Sequence, residues 1–307
     1  MATLPQTTTS TTRTTFEVPD TRVTPWMRIS SLGWGGVRYG LLVLYMVICL
    51  YPFIWMVSTS LRSSAGVFSA GISLWVDSPE WGNYAEIWRE ANVGRAAINT
   101  VLITAVCMAA VIMTTSMTAY ALTRSDFPGK KIIMVALLTT FLIPGEMLII
   151  PTFYVNRSLH LIGDWKSLIA VILVMTAGAQ VFNIYLLMSH FQTLPSEIYD
   201  AAAIDGESYF GTYWHIAFPL VRPALATISL LTYMGIWNAF LVPLVYLSAL
   251  PDYQTLTIAL IQYSRRFQTL YHIMAAGSVI ALVPVIVIFI FLQRYFIRGL
   301  TEGATKG

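Results

Sequence analysis

The stretch "LPSEIYDAAAIDGESYF", residues 194–210, sets four carboxylates (Glu197, Asp200, Asp205 and Glu207) around three consecutive alanines and a glycine. The chain has 15 acidic residues among 307 and is 56% hydrophobic, so acid gathered in one place needs a reason. Local chemistry predicts helix–turn–helix. Ser196 stands where an N-cap would be, and Glu197 falls in the positive first turn. Ala201, Ala202 and Ala203 are strong helix formers with little bulk. Gly206 can close the helix in the left-handed conformation. Asp205 is positioned to cap a second short helix, through Tyr213 and His215, that stops before Pro219. The element is short, charged and small-faced, so it lies outside a bilayer. A helix without bulky side chains suits docking in a groove; the same residues also permit a solvated loop.

On either side the sequence is apolar. Only 11% of residues are charged, against about 25% in soluble domains. Six runs reach the roughly 20 residues that cross a bilayer as helix: 39–61, 98–122, 132–155, 168–188, 224–247 and 273–297. The predicted fold is an all-α integral membrane protein with six transmembrane helices over 39–297, and a cytoplasmic loop at 191–220. Residues 1–38 read as a disordered cytoplasmic tail, Thr-rich at its start and without the apolar core of a signal peptide. Residues 298–307 read as a short cytoplasmic tail. If both termini are cytoplasmic, eleven of the 18 Lys and Arg fall inside. The turn "RSDFPGKK" (124–131) is the clearest positive-inside signal.

Several chemistries have no residues to carry them. Cys49 and Cys107 lie in apolar runs with no paired spacing. The four histidines (160, 190, 215 and 272) are scattered, so no metal site is expected. The nearest approach to a phosphate-binding loop, "FPGKK", lacks the leading glycine and the Ser/Thr. Any ATP-driven work therefore needs a partner subunit. A net charge of +3 suggests no nucleic-acid role. Polar groups inside the runs are costly in lipid and face a bundle interior or a pathway. Gln180, Asn183 and Asn238, with Trp237 beside the last, are the candidates for a substrate path. Helix–helix hydrogen bonding is the alternative for each amide. Glu146 follows "IPG" and is expected near the outer end of its span. Pro52, Pro144, Pro151, Pro243 and Pro284 fall in or at the edges of spans, where kinks are tolerated beside neighbours or a cavity.

"DAAAIDGESYFGTYWHIAFPL" (200–220) resembles the EAA loop of ABC importer permeases, which reads EAA, three residues, Gly, nine residues, Ile, one residue, Leu-Pro. Asp200, Ala201 and Ala202 stand for EAA, followed by Gly206, Ile216 and Phe218-Pro219. Asp200 and Phe218 depart from the pattern's Glu and Leu. "AINTVLI" (97–103), "AYALTRSDFPGKK" (119–131), "WNAFLVPLVYL" (237–247) and "QRYFIRGLTEGATKG" (293–307) resemble the second permease subunit of carbohydrate ABC importers, the MalG/UgpE-like group. The resemblance implies a type I importer permease of a bacterial or archaeal cytoplasmic membrane. Glu197, Asp200, Ala201, Ala202, Asp205, Gly206, Ile216 and Pro219 would then couple it to a cytoplasmic ATPase dimer. Its other implied partners are a homologous permease, an extracytoplasmic solute-binding protein and lipid. The chain itself would hold no cofactor, ATP and Mg being bound by the ATPase. The implied cargo is a sugar or oligosaccharide, moved by alternating access, with glycerol phosphate or another small polar solute as the alternative. The loop at 252–269 would meet the binding protein, and the C-terminal "GLTEGATKG" would lie against the ATPase. A membrane-embedded enzyme would need facing ionisable pairs, and a structural scaffold would have no use for the docking loop.

Overall fold

The computed structural model describes residues 25–69, 71, 73–266 and 270–304. The described residues contain helices and no strand. The chain divides into two units, Met1–Phe53 and Ile54–Gly307. The described part of the first is helical, belonging to α1 (Pro25–Ser60), and residues 36–50 are exposed and mostly apolar. The helix begins at Pro25, so residues 25–38, read from sequence as disordered tail, are helical. Proline at a first helical position forfeits only a donor that has no partner there anyway. The Thr-rich run at 6–15 lies outside the described residues.

The second unit continues with α2 (Ser64–Ser69), α3 (Gly82–Glu90), α4 (Val93–Arg124), α5 (Lys130–Phe141), α6 (Ile149–Ser158), α7 (Lys166–Gly178), α8 (Gln180–Gln192) and α9 (Ser196–Ile204). Then come α10 (Tyr209–Thr212), α11 (Phe218–Leu220), α12 (Arg222–Trp237), α13 (Leu241–Leu247), α14 (Leu256–Arg266) and α15 (Tyr271–Ala304). Among the described residues three helices are long and apolar enough to span a membrane alone: 36–60 of α1, α4, and 271–291 of α15. Counting each bent pair as one span would bring the number, by length and composition, up to six: Lys130–Phe141 with Gly145–Ser158, Lys166–Gly178 with Gln180–Gln192, and Tyr209–Leu220 with Arg222–Trp237, the last overlapping the loop expected at 191–220. This is the all-helical membrane fold expected from the sequence. Helix α15 runs on through Ala304, so residues 298–304 are helix rather than loose tail, and 305–307 lie outside the described residues.

Central to the second unit is α4, which packs against α7, α8, α12 and α14. Its small and β-branched residues permit close approach from several sides. Val111, Ala119 and Tyr120 join Leu187, Phe191 and Ile228 in one buried cluster. Val93 and Ala96 join Ile87, Tyr233 and Ile273 in another, and Ile103 and Cys107 join Val171 and Leu247 in a third.

The spans read as continuous runs at 132–155, 168–188 and 224–247 are interrupted. Pro144 would drive its ring into the Thr140 carbonyl of a continuing helix; α5 stops at Phe141, and the chain bends by 93° to the following segment. Pro243 likewise forbids helix around Ala239, and α12 ends at Trp237. Between α7 and α8 no proline is present. There the Gln180 amide donates to the Thr176 carbonyl at 3.2 Å, a side chain competing with the backbone ladder beside Gly178, and the bend is 45°. Pro52 and Pro284 sit inside unbroken helices. The predicted outer loop at 252–269 is mostly helix: Leu256, Ala259, Leu260 and Tyr263 of α14 are buried against α3 and α15, and residues 267–269 lie outside the described residues.

Candidate coupling element and translocation cleft

Residues 196–220 fold as helix, glycine turn, helix. The turn is a Schellman cap: Gly206 N donates to the Ala203 carbonyl at 3.2 Å and Glu207 N to the Ala202 carbonyl at 2.9 Å. Gly206 takes φ of 79°, and a Cβ there would touch nothing within 4 Å, so its glycine is required by backbone conformation alone. Two expected caps differ. Ser196 is the first residue of α9, Pro195 holds the N-cap position, and no side chain caps it. The second helix starts at Tyr209 and is capped by Ser208, whose Oγ accepts from Gly211 N at 3.0 Å, not by Asp205. Nor does that helix stop before Pro219. A π-helical turn at Tyr213–Ala217 widens the backbone ahead of the proline, whose ring would clash with the carbonyl four residues back in a regular α-helix, and the helix passes through Pro219 to Leu220.

Helix α9 has two faces. Ile198, Tyr199 and Ala202 turn inward, and Ala202 is 3% exposed, so it packs rather than presents itself. Glu197, Asp200, Ala201, Ala203, Ile204 and Asp205 face out. Ile204 is 85% exposed, a bare aliphatic on an otherwise small and acidic surface. Ile216 and Pro219 are half-buried in the second helix. Glu207 pairs with His215 at 2.6 Å, clipping the turn to the π-helical segment.

The inward face meets a stripe on α4. Ser116, Tyr120 and Arg124 recur every four residues and so share one side of the helix. The Tyr120 ring lies 4.9 Å from that of Tyr209, 5.2 Å from Tyr213 and 5.7 Å from Phe191. Ser116 Oγ and the Tyr213 hydroxyl are 2.7 Å apart, and Ser125 donates to the Tyr209 hydroxyl at 2.8 Å. Arg124 gathers three elements. Its Nη2 donates to the Phe191 carbonyl at 2.7 Å and the Leu194 carbonyl at 2.9 Å, neutralising the C-terminal end of α8. Its guanidinium also sits 3.8 Å from the centre of the Tyr199 ring on α9. Burial raises the Tyr199 phenol above its usual range, and the Arg124 charge opposes the rise. Sequence reading counted Arg124 only as an inner positive charge. The four-residue spacing of Ser, Tyr and Arg was the signal available.

The three helix breaks converge. A cleft of about 450 Å³ is lined by Gly145 and Glu146 from the first break, Met175 and Gly178 from the second, and Ala239 and Phe240 from the third. A neighbouring cleft of about 330 Å³ shares Met175 and Gly178 and is bounded by Asn183 and Thr232. Of the four residues expected on a substrate path, only Asn183 lines either cleft. Asn183 donates to Thr232 Oγ1 at 3.3 Å. Gln180 bridges to α4, accepting from Thr115 at 2.9 Å and donating to Thr114 at 2.8 Å. Trp237 stacks on Tyr233 and donates to the Ala281 carbonyl at 3.2 Å. Asn238 is exposed and bonds the Met234 carbonyl of its own helix. Glu146, expected toward an outer end of its span, lines the cleft where the breaks meet.

Comparison with known proteins accords with this architecture. Residues 112–302 match the family described as binding-protein-dependent transport system inner membrane component. The chain is 35% identical over 263 residues to the arabinooligosaccharides transport system permease protein AraQ of Halalkalibacterium halodurans, covering 85% of this chain and 92% of that one. It is 30% identical over 272 residues to the diacetylchitobiose uptake system permease protein NgcG of Streptomyces coelicolor, covering 88% of each. Its fold is shared with a chain of a bacterial ABC transporter that imports the acidic polysaccharide alginate (TM-score 0.74, 23% identity, 87% of this chain and 98% of that one). The resemblance drawn from the sequence motifs is thereby borne out: the protein belongs to the family of inner-membrane permease components of binding-protein-dependent ABC transport systems.

Proposed function

We propose that the chain is the permease subunit of an ATP-driven importer of sugars or oligosaccharides, working by alternating access. The observation that carries this reading is the α9 element: a small, acidic, outward face with Ile204 bare, backed by an inward face tied through Tyr199 and Arg124 to α4 and α8. An element built this way can transmit a push from a docked ATPase to two membrane helices at once, because its outer face is free for a partner while its inner face is packed. A rigid-body rocking of the bundle would follow. Both termini are then cytoplasmic, ATP and Mg are bound by the partner ATPase dimer, and this chain carries no ATPase site of its own. A homologous permease completes the membrane pore, and a solute-binding protein delivers cargo outside. Saccharide cargo is supported by relatives whose names specify arabinooligosaccharides and diacetylchitobiose. Glycerol phosphate is the weaker reading, since neither cleft is lined by Lys or Arg, which phosphate recognition favours.

The test is to purify the complex from its native membrane, identify the co-purifying subunits and the solute on the binding protein, and measure uptake of that solute in proteoliposomes. ATP-dependent uptake of a saccharide is expected. Uptake of a phosphorylated solute alone, or a complex without an ATPase, would overturn the reading.

A further inference from the structure

Among the described residues Glu146 is the one titratable side chain in the lining of the two adjoining clefts; it is exposed, and none of those residues hydrogen-bonds to its carboxylate or pairs with it. Its depth follows from helix lengths. Helix α5 has 12 residues, a rise of about 18 Å, and the chain then turns by 93°. The residues after the turn therefore add little height, and Glu146 stays within the roughly 30 Å apolar layer. Helices α7 and α8 agree: each has 13 residues, which puts Gly178, on the same cleft, midway along its span. An unpaired carboxylate at that depth is expensive. It persists where water or a polar ligand reaches it. Around it the cleft offers small, aliphatic and aromatic contacts, with the Phe240 ring on the third break. An aromatic face and a carboxylate complement the two sides of a saccharide, whose C–H groups pack on the ring while its hydroxyls donate to the acid.

We propose that Glu146 is a charge filter on the translocation cleft, accepting hydroxyl hydrogen bonds from neutral saccharides and repelling those that carry carboxylate or sulfonate groups. This rests on the reading of the chain as a saccharide permease. The like-charge repulsion acts in a low-dielectric setting, where it is far stronger than in water. The amide of Glu146→Gln keeps an acceptor but loses the charge that strengthens each bond.

The experiment uses the complete importer in membrane vesicles. A hydrophobic carbodiimide, which modifies carboxyl groups at membrane depth, is applied with and without arabinotriose, raffinose, diacetylchitobiose or trigalacturonate. Modification at Glu146 is read by mass spectrometry. Expected is labelling of Glu146 that at least one neutral saccharide suppresses and trigalacturonate does not. In parallel, Glu146→Gln should raise the KM for that saccharide by roughly three- to tenfold with unchanged retention of the ATPase. Equal or better protection by trigalacturonate overturns the proposal. So does the absence of labelling, as would follow if a basic residue of the second permease pairs with the acid. Unprotected labelling alongside wild-type uptake of a neutral saccharide, or an unchanged KM in Glu146→Gln, also overturns it. If wild-type vesicles take up none of the saccharides, the permease reading itself is what fails.

Discussion

Removing the Arg124 side chain should detach the coupling element from the helices it moves. In Arg124→Ala the Phe191 and Leu194 carbonyls lose donors at 2.7 and 2.9 Å, and the Tyr199 ring loses a cation at 3.8 Å. A hydrogen bond to a charged group contributes about 1.5–3 kcal/mol. The two bonds share one nitrogen, so they count as little more than one. The cation–π contact adds about 0.5–2 kcal/mol. Arg124 is half-buried, and water will take over part of what is lost, leaving a net loosening of about 2–3 kcal/mol. Since each 1.4 kcal/mol is tenfold, local opening of α9 should rise roughly thirty- to a hundredfold. Arg124→Lys keeps the charge but not the planar fork and should fall between. Hydrogen exchange of the α9 amides in the purified complex reads the opening, and solute transported per ATP hydrolysed reads its consequence. Membrane abundance should be normal. If Arg124→Ala shows wild-type exchange in α9 and a wild-type transport ratio, the clasp plays no part in coupling.

Gly206→Val should strain the left-handed turn by about 1–2 kcal/mol, redirecting the second helix; uptake and ATPase retention should both fall while insertion is unchanged, and wild-type values for both would mean a solvated loop. Asn183→Ala, which alters the one amide of the three that lines a cleft, should change the KM for uptake more than Gln180→Ala or Asn238→Ala, whose side chains line neither; unchanged kinetics in all three would make Asn183 a packing residue too. In a background without Cys49 and Cys107, an impermeant thiol reagent applied to intact cells should label Ser264→Cys and spare Ser125→Cys. The reverse pattern would invert the topology.

Much of this was legible because bilayer length and apolar composition leave few alternatives. Helix α4 was expected over 98–122 and spans Val93–Arg124. Gly206 was expected left-handed from chemistry alone, and it is. What the sequence hid was discontinuity. A window that sums hydropathy passes over "FLIPGEM" (141–147) because breaking the helix there costs no apolar residue; Pro144 was noted but not its 93° consequence. The caps were misassigned for a related reason. Ser196, Asp205 and Ser208 are all competent caps by residue type, and local chemistry does not choose among them; Ser208 is used, ahead of a Tyr209 whose ring packs on Tyr120. Arg124 and Glu146 escaped because their roles depend on what other segments bring to them: two carbonyls and a tyrosine from residues 191–199, and two further helix breaks.

The central claim is that the outward face of α9 seats on an ATPase. Ile204 is the residue to ask, being 85% exposed and on the face of α9 that is exposed among the described residues. The measurement is photo-crosslinking from Ile204→Cys, derivatised with benzophenone maleimide in a complex whose permease lacks Cys49 and Cys107, with Phe68→Cys beyond the first span as the control. The account predicts an adduct between position 204 and the ATPase subunit, and none from position 68. An adduct from 204 only to lipid or to the second permease, with the ATPase present and hydrolysing, would contradict it.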